Sequence, residues 1–344
     1  MRAFVFEHAS DTADALARSA ADPDAGTTVA ARTQYLAGGT NLVDLMKLGV
    51  MTPAYVIDIA ALYDELGSID ATPDHLYLGA MATMADTARV AAVRRDYPVI
   101  AESLLCAASA QLRNMATLGG NVLQRTRCGY FRNPGWRECN KRVPGSGCAA
   151  RNGANRRLAV LGTSDHCIAN YPGDFAIALV ALGAQVELVD VSGATRRIAF
   201  EDLHRLPGDT PHLETCLSAG ELLLGFRVPA GPWTRRSRYV KIRDRASYDF
   251  ALASAAVALQ LDADGTVAAV RIGIGGLAAK PWRAHRAEAA LTGQRIDEAS
   301  ARAAADSEFA SATAVGENAF KPELGRRTLV RALLEAAELE VSDE

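Results

Sequence analysis

The chain has 344 residues, 49% of them hydrophobic and 22% charged, with a formal net charge of −3. Such a length predicts about two domains, each able to bury its own core, and the balanced charge argues against nucleic acid or an anionic membrane as the main partner. No apolar run reaches the roughly 18 residues a membrane-spanning helix needs, and six cysteines are too few for a disulfide scaffold.

The opening stretch, Met1 to His8, reads as a strand around Phe4, Val5 and Phe6 and not as a signal peptide. The expectation is a cytoplasmic protein, with export alongside a signal-bearing partner as the alternative. A helix follows over 11–20, capped by Ser10 or Asp11, then a turn at Pro23, Asp24 and Gly26. At 35–42, Tyr-Leu-Ala-Gly-Gly-Thr-Asn-Leu reads as a strand, a glycine turn and a helix start, which aims backbone N–H groups at one spot. Strands are expected over 55–59, 66–69 and 75–78. A small-residue turn at 79–83 leads into a helix capped by Thr83, and an alanine-rich helix covers 98–110, with 111–115 continuing or following it.

The stretch 124–171 differs in character. Nine Arg and Lys residues lie among glycines, prolines and asparagines, with little apolar periodicity, so a long loop is predicted. A loop of this length inside a compact domain needs a reason to be ordered. After it come a helix over 174–182, a hairpin over 184–200 turning at Gly193, and a strand over 222–228. Pro229-Ala-Gly-Pro-Trp233 is the best linker candidate. It divides the chain into 1–230 and 231–344. The second part opens with a strand over 238–242. A hairpin of 252–261 and 267–274 follows, turning on Asp-Ala-Asp-Gly at 262–265. Helices over 284–291, 299–305 and 324–339 complete an α+β pattern.

Three groups of residues carry chemistry. Gly38-Gly39-Thr40-Asn41 and Leu118-Gly119-Gly120-Asn121 are turns able to cradle a diphosphate, since glycine lets the backbone come close and Thr or Asn adds hydrogen bonds. Neither has the Gly-x-Gly-x-x-Gly dinucleotide pattern, and either is also an ordinary structural turn. Cys128, Cys139, Cys148 and Cys167 are separated by ten, eight and eighteen residues. That is neither a zinc-ribbon spacing nor a ferredoxin run, so spacing alone leaves a metal site and scattered thiols both open. Nearby glycines and arginines favour a thiolate-ligated cluster. His166 is either a second donor or a surface side chain. Cys106 and Cys216 read as plain thiols. Lys241, Arg243, Arg245 and Asp249 form either a charged strand edge or a set facing a cofactor between domains.

Leu36-Ala-Gly-Gly-Thr-Asn-Leu42, Gln111-Leu-Arg-Asn-Met-Ala-Thr-Leu-Gly-Gly-Asn-Val122 and Arg271-Ile-Gly-Ile-Gly-Gly-Leu-Ala-Ala-Lys-Pro-Trp-Arg283 resemble the FAD-binding subunit of the molybdenum hydroxylases. That is the xanthine dehydrogenase, aldehyde oxidase and carbon monoxide dehydrogenase family. The resemblance covers nearly the whole chain. The insertion at 124–171, with its four cysteines, resembles the [4Fe–4S]-bearing FAD subunit of PaoABC-type bacterial aldehyde oxidoreductases, and less closely that of 4-hydroxybenzoyl-CoA reductase.

The resemblance implies an α+β fold: an FAD-binding domain of the p-cresol methylhydroxylase/vanillyl-alcohol oxidase type, in two subdomains, and a C-terminal domain of the CO dehydrogenase flavoprotein type. It implies that Leu36, Ala37, Gly38, Gly39, Thr40, Asn41 and Leu42, with Thr117, Gly119, Gly120 and Asn121, hold FAD. It places Asp174 near the ribityl or adenosine part and Lys241 and Asp249 near the isoalloxazine. It makes Cys128, Cys139, Cys148 and Cys167 the cluster ligands. Asn41 departs from the Asp of many relatives, keeping an acceptor and losing a charge. The implied function is electron transfer within a heterotrimer. A molybdenum-cofactor large subunit oxidises an aldehyde, and a [2Fe–2S] small subunit passes electrons to FAD in this chain and on to an external acceptor. No catalytic base for the substrate is expected here, and neither nucleic acid nor membrane insertion is. The competing readings are the FAD subunit of a xanthine dehydrogenase or 4-hydroxybenzoyl-CoA reductase type, an autonomous FAD oxidase, and a zinc-stabilised scaffold.

Overall fold

In the computed structural model, which describes residues 1–341, three sheets carry the chain. The first holds β1 (Val5–His8), β2 (Thr33–Leu36) and β3 (Tyr55–Asp58) in the order β1-β3-β2, all parallel. Parallel neighbours need crossovers, and the sequence supplies them. After β1, Asp11 accepts a hydrogen bond from Asp14 N at 2.8 Å and starts the helix Thr12–Ser19. After β2, the chain turns at Gly38-Gly39 into the helix Leu42–Lys47. Val56 and Ile57 of the central strand are buried.

The second sheet is antiparallel, in the order β4-β5-β8-β6-β7. Its strands are β4 (Ile69–Ala71), β5 (His75–Gly79), β6 (Gln185–Val189), β7 (Thr195–Ala199) and β8 (Leu222–Pro229). The β6–β7 hairpin turns at Gly193 (φ 82°), with Asp190 Oδ1 accepting from Ser192 N and Ala194 N. The third sheet holds β9 (Ser237–Ile242), β10 (Ala253–Leu261), β11 (Val267–Gly275) and β12 (Trp282–Arg283) in the order β12-β11-β10-β9. The helices His285–Leu291, Glu298–Glu308 and Lys321–Ala337 cover it, and their Ala and Leu side chains share a core with Val257, Ile272 and Ile274.

The helix Phe175–Leu182 joins the second and third sheets; every residue in it is buried. It lies so close to β11 that a Cβ on Gly273 would sit 2.4 Å from the Ile177 carbonyl oxygen. Its last carbonyls take up Arg283, whose Nη1 donates to Val180 O and Ala181 O at 2.8 Å each. Placing a cation at that end opposes the negative pole of the helix dipole.

Segment 124–171 is irregular apart from one helical turn (Gly129–Arg132) and a 3-10 turn (Ala149–Asn152). Cys128, Phe131, Cys139 and Cys167 share a core with Leu45, Met46 and Val56 beneath the first sheet. Further along, Val160 and Leu161 enter the core of the third sheet. Val160 N donates to Leu277 O at 2.8 Å, and Lys321 Nζ donates to the carbonyls of Arg157, Leu158 and Gly276. The segment therefore ties the C-terminal part to the rest.

Three local expectations need correction. The helix expected over 98–110 ends at Cys106, and Ser109 caps a second helix, Ala110–Met115, by accepting from Leu112 N. Between them Ala108 takes φ 50°, a break that alanine content does not signal. Leu66 closes a helical turn, Tyr63–Leu66, instead of starting a strand. The glycine turn at 118–121 is a short helix, Leu118–Val122, because Thr117 Oγ1 accepts from Gly120 N at 3.2 Å.

Candidate cofactor site

The two glycine segments meet. A Cβ on Gly38 would lie 1.7 Å from the carbonyl oxygen of Met115, so only glycine lets the turn after β2 press against the backbone entering the helix at Leu118. A Cβ on Gly119 would lie 3.1 Å from the Ala80 side chain. Together they border an open cavity of about 210 Å³, lined by residues 37–42 together with Thr117, Gly119 and Gly120. Leu36 and Asn121 do not line it.

The two segments differ in what they offer. The backbone N–H groups of Gly38, Gly39, Thr40 and Asn41 take no partner among the described residues. In the second segment Leu118 N donates to Ala82 O, Gly119 N to Ala80 O and Asn121 N to Thr117 O, and Gly120 N is used by Thr117. The first turn is thus a cluster of free donors suited to an anion, while the second is docked and supplies close backbone approach. Two amides add to this. Asn41 Oδ1 accepts from Arg125 N at 3.1 Å and its Nδ2 is buried without a partner. Asn121 Nδ2 reaches Met84 Sδ and its Oδ1 is buried without a partner. Orphaned buried polar atoms are uncommon and point to a missing partner, so Asn41, which lines the cavity, fits a phosphate-bearing, hydroxyl-rich ligand such as FAD.

One wall of the cavity is ionic, and no local sequence signal marked it. Glu214 receives Lys141 Nζ at 2.7 Å on one oxygen and Arg125 Nη1 on the other. Lys141 also donates to Pro211 O at 3.2 Å. Burial pushes the Glu214 carboxyl up, but Lys141 and Arg125 outweigh it and hold it at about 2. His204 lines the same cavity, with burial holding its imidazole at about 4.

All four cysteines singled out above line one small second cavity, and none is in a disulfide. An antiparallel bridge sets Cys139 opposite Cys148. Asn140 fixes that loop beside Cys167: its Oδ1 accepts from Gly147 N and its Nδ2 donates to His166 O, both at 2.9 Å. Thr126 Oγ1 accepts from Cys128 N. Burial raises the Cys128 thiol to about 11 and the Cys167 thiol to about 12, the latter against the pull of Lys141. Among the described residues no three His, Cys, Asp or Glu side chains stand close enough to hold a metal ion. His166 is exposed and faces Asp209 at 3.3 Å, the surface reading.

Asp174, Lys241 and Asp249 do not line the glycine-bordered cavity. Asp174 pairs with Lys241 Nζ at 2.7 Å and accepts from the Tyr239 hydroxyl at 2.6 Å. Lys241 also donates to Cys106 O. Asp249 pairs with Arg157, at the contact between the irregular segment and the C-terminal part. Cys106 and Cys216 are half-buried and lie apart from the four-cysteine cavity.

Residues 3–231 match the family described as the FAD binding domain in molybdopterin dehydrogenase, and residues 238–336 match the CO dehydrogenase flavoprotein C-terminal domain. The chain is 44% identical to the aldehyde oxidoreductase FAD-binding subunit PaoB of Escherichia coli, over 98% of this chain and 99% of that one. It is 28% identical to the carbon monoxide dehydrogenase medium chain of Afipia carboxidovorans, over 76% and 73% of the two chains. In structure it is similar to a chain of quinoline 2-oxidoreductase from Pseudomonas putida 86, with a TM-score of 0.73 at 22% identity, covering 98% of each chain. No helix among the described residues is long and apolar enough to cross a membrane.

Proposed function

The chain belongs to the FAD-binding medium subunits of the molybdenum hydroxylases, an oxidoreductase family, and from that premise we propose that it is the electron-transfer subunit of a heterotrimeric, molybdenum-dependent aldehyde oxidoreductase. Its partners are a [2Fe–2S] small subunit and a molybdenum-cofactor large subunit, and electrons leave to an external acceptor. The chain carries two cofactors, FAD and a [4Fe–4S] cluster. When bound, FAD exchanges electrons singly or in pairs and the cluster exchanges them singly. Residues 1–230 form the FAD-binding domain, with 124–171 as the iron–sulfur insertion, and 231–344 the C-terminal flavoprotein domain. The observation that supports this most is the 44% identity along nearly the whole length to an aldehyde oxidoreductase FAD subunit.

The chain's own residues position and tune, since the cofactors supply the redox chemistry. Gly38, Gly39, Thr40 and Asn41 offer free N–H donors to the diphosphate, and Gly38 is glycine so that this turn can seat against Met115. The Asn41 amide, anchored by Arg125 N, keeps its own N–H free for the ligand. Thr117, Gly119 and Gly120 line the cavity and give the ligand close backbone contact. Cys128, Cys139, Cys148 and Cys167 ligate the cluster as thiolates. Burial raises the Cys128 and Cys167 thiols, and the positive charge of iron would favour their thiolate forms. Asp174, Lys241 and Asp249 hold the frame around the flavin through their ion pairs.

Anaerobic addition of an aldehyde to the purified complex tests the proposal. The flavin absorbance bleaches within turnover time, whereas xanthine leaves it unchanged. Bleaching by xanthine and not by any aldehyde overturns the aldehyde assignment, and absence of flavin overturns the whole reading.

A further inference from the structure

The two cavities share a wall. Lys141 lines both the glycine-bordered cavity and the four-cysteine cavity, whereas Arg125 and Glu214 line only the former. Lys141 follows Cys139 by two positions, in the loop that Asn140 fastens to the backbone of Gly147 and His166. Its side chain is 11% exposed, and its ammonium is held by Glu214 at 2.7 Å and Pro211 O at 3.2 Å. On the far side of Glu214, Arg125 pairs with the second carboxylate oxygen, and its backbone N–H donates to Asn41 Oδ1 in the free-donor turn. A chain of contacts thus runs from the cysteine loop through Lys141 and Glu214 to Arg125, whose backbone meets the turn at 38–41. Two cations on one carboxylate leave this path with one net positive charge, in surroundings where charges are weakly screened.

We propose that Lys141 is a positioning residue shared by both redox sites, whose fixed positive charge raises the reduction potential of the group held by the four cysteines and is metered by Glu214. This rests on the cluster assignment made above. Reduction adds negative charge to a thiolate-ligated cluster, so a nearby cation stabilises the reduced state and a nearby anion destabilises it. Glu214 sits where it offsets part of the Lys141 field, and it locks the ammonium into one geometry. The same ion pair fixes Arg125, and so the orientation of Asn41 in the other cavity.

The test is a redox titration of the holo-complex, with the low-temperature EPR signal of the four-iron cluster as the readout, in the wild type and in Lys141→Met, Lys141→Arg, Glu214→Gln and the Lys141→Met/Glu214→Gln double variant. Iron, sulfide and flavin contents are measured on the same samples. Lys141→Met lowers the ratio of reduced to oxidised cluster at a fixed ambient potential by about tenfold, a shift of about 59 mV for a one-electron couple. Glu214→Gln moves it the other way. The double variant returns toward the wild type, and Lys141→Arg rescues the ratio. Shifts of the same sign in Lys141→Met and Glu214→Gln, or no shift with iron content intact, overturn the proposal. If Lys141→Met loses iron, Glu214→Gln decides: a raised ratio of reduced to oxidised cluster supports the proposal, and an unchanged or lowered one overturns it. Absence of iron and sulfide from the wild type overturns the cluster assignment itself and is distinguished by that analysis alone.

Discussion

The ammonium of Lys241 lies 2.7 Å from the carboxylate of Asp174, and both side chains are almost closed to solvent, at 2% and 4% exposure. The partners come from β9 and from the N-terminal end of the fully buried helix Phe175–Leu182. A charge pair there is costly to desolvate and strongly destabilising to break, because one charge is left buried alone. Lys241→Met and Asp174→Asn are each expected to cost about 3–5 kcal/mol, read as the shift in a denaturant midpoint. Replacing both with apolar side chains is expected to cost less than either single change. Flavin per folded molecule stays near the wild-type value; selective loss of flavin without loss of stability refutes this structural role.

Gly38 and Gly120 separate packing from ligand contact. Alanine at Gly38 meets the Met115 carbonyl oxygen at 1.7 Å, a backbone atom that cannot give way. Gly38→Ala is expected to lower the thermal midpoint and to release flavin together. Alanine at Gly120 meets only Thr117 Oγ1, at 3.0 Å, and the position is helical, where alanine is favoured by up to about 1 kcal/mol. Gly120→Ala is therefore expected to keep its midpoint while its flavin dissociation constant rises about tenfold, a loss of about 1.4 kcal/mol. Unchanged affinity in that variant means that Gly120 does not face the ligand.

Cys139→Ser tests the cysteine cavity. A serine oxygen is a poor substitute for thiolate, so the variant is expected to lose the brown cluster absorbance and most of its acid-labile sulfide while keeping FAD, because no cysteine of the set lines the flavin cavity. Cys106→Ser, at a site outside the cysteine cavity, is the control and keeps both. Equal iron contents in the two variants count against ligation by Cys139.

Much of this was legible from residue order. The Gly193 and Gly265 hairpins and the Asp11 and Thr83 caps sit where local patterning puts them. What escaped depends on contacts between distant positions. Nothing near Glu214 marks it as the counter-ion of Arg125 and Lys141, 89 and 73 positions away. Likewise, the two Gly-Gly-containing turns look equivalent in sequence. They diverge only because Ala80 and Ala82, just after β5, and Thr117 take up the N–H groups of the second. Asp174 and Lys241 were each readable as polar groups near a cofactor. Their mutual pairing appears only once β9 is laid against the helix Phe175–Leu182.

Glu214 also gives the protein a measurable acid response. Its ordinary value is 4.5, and the two cations hold it at about 2 in the folded state despite burial. The unfolded chain therefore binds the proton first as pH falls, so the contribution to stability is complete above about pH 4.5 and is lost progressively as pH falls towards about 2. The window corresponds to at most about 3 kcal/mol. Glu214→Gln removes this term. It is expected to be less stable than the wild type at neutral pH, because Arg125 and Lys141 then lack a counter-ion. The gap should narrow steadily as pH drops through the window. Denaturant unfolding of both proteins at several pH values checks this, and a gap that stays constant from neutral pH to pH 2 or so means that Glu214 is not held ionised by its two partners.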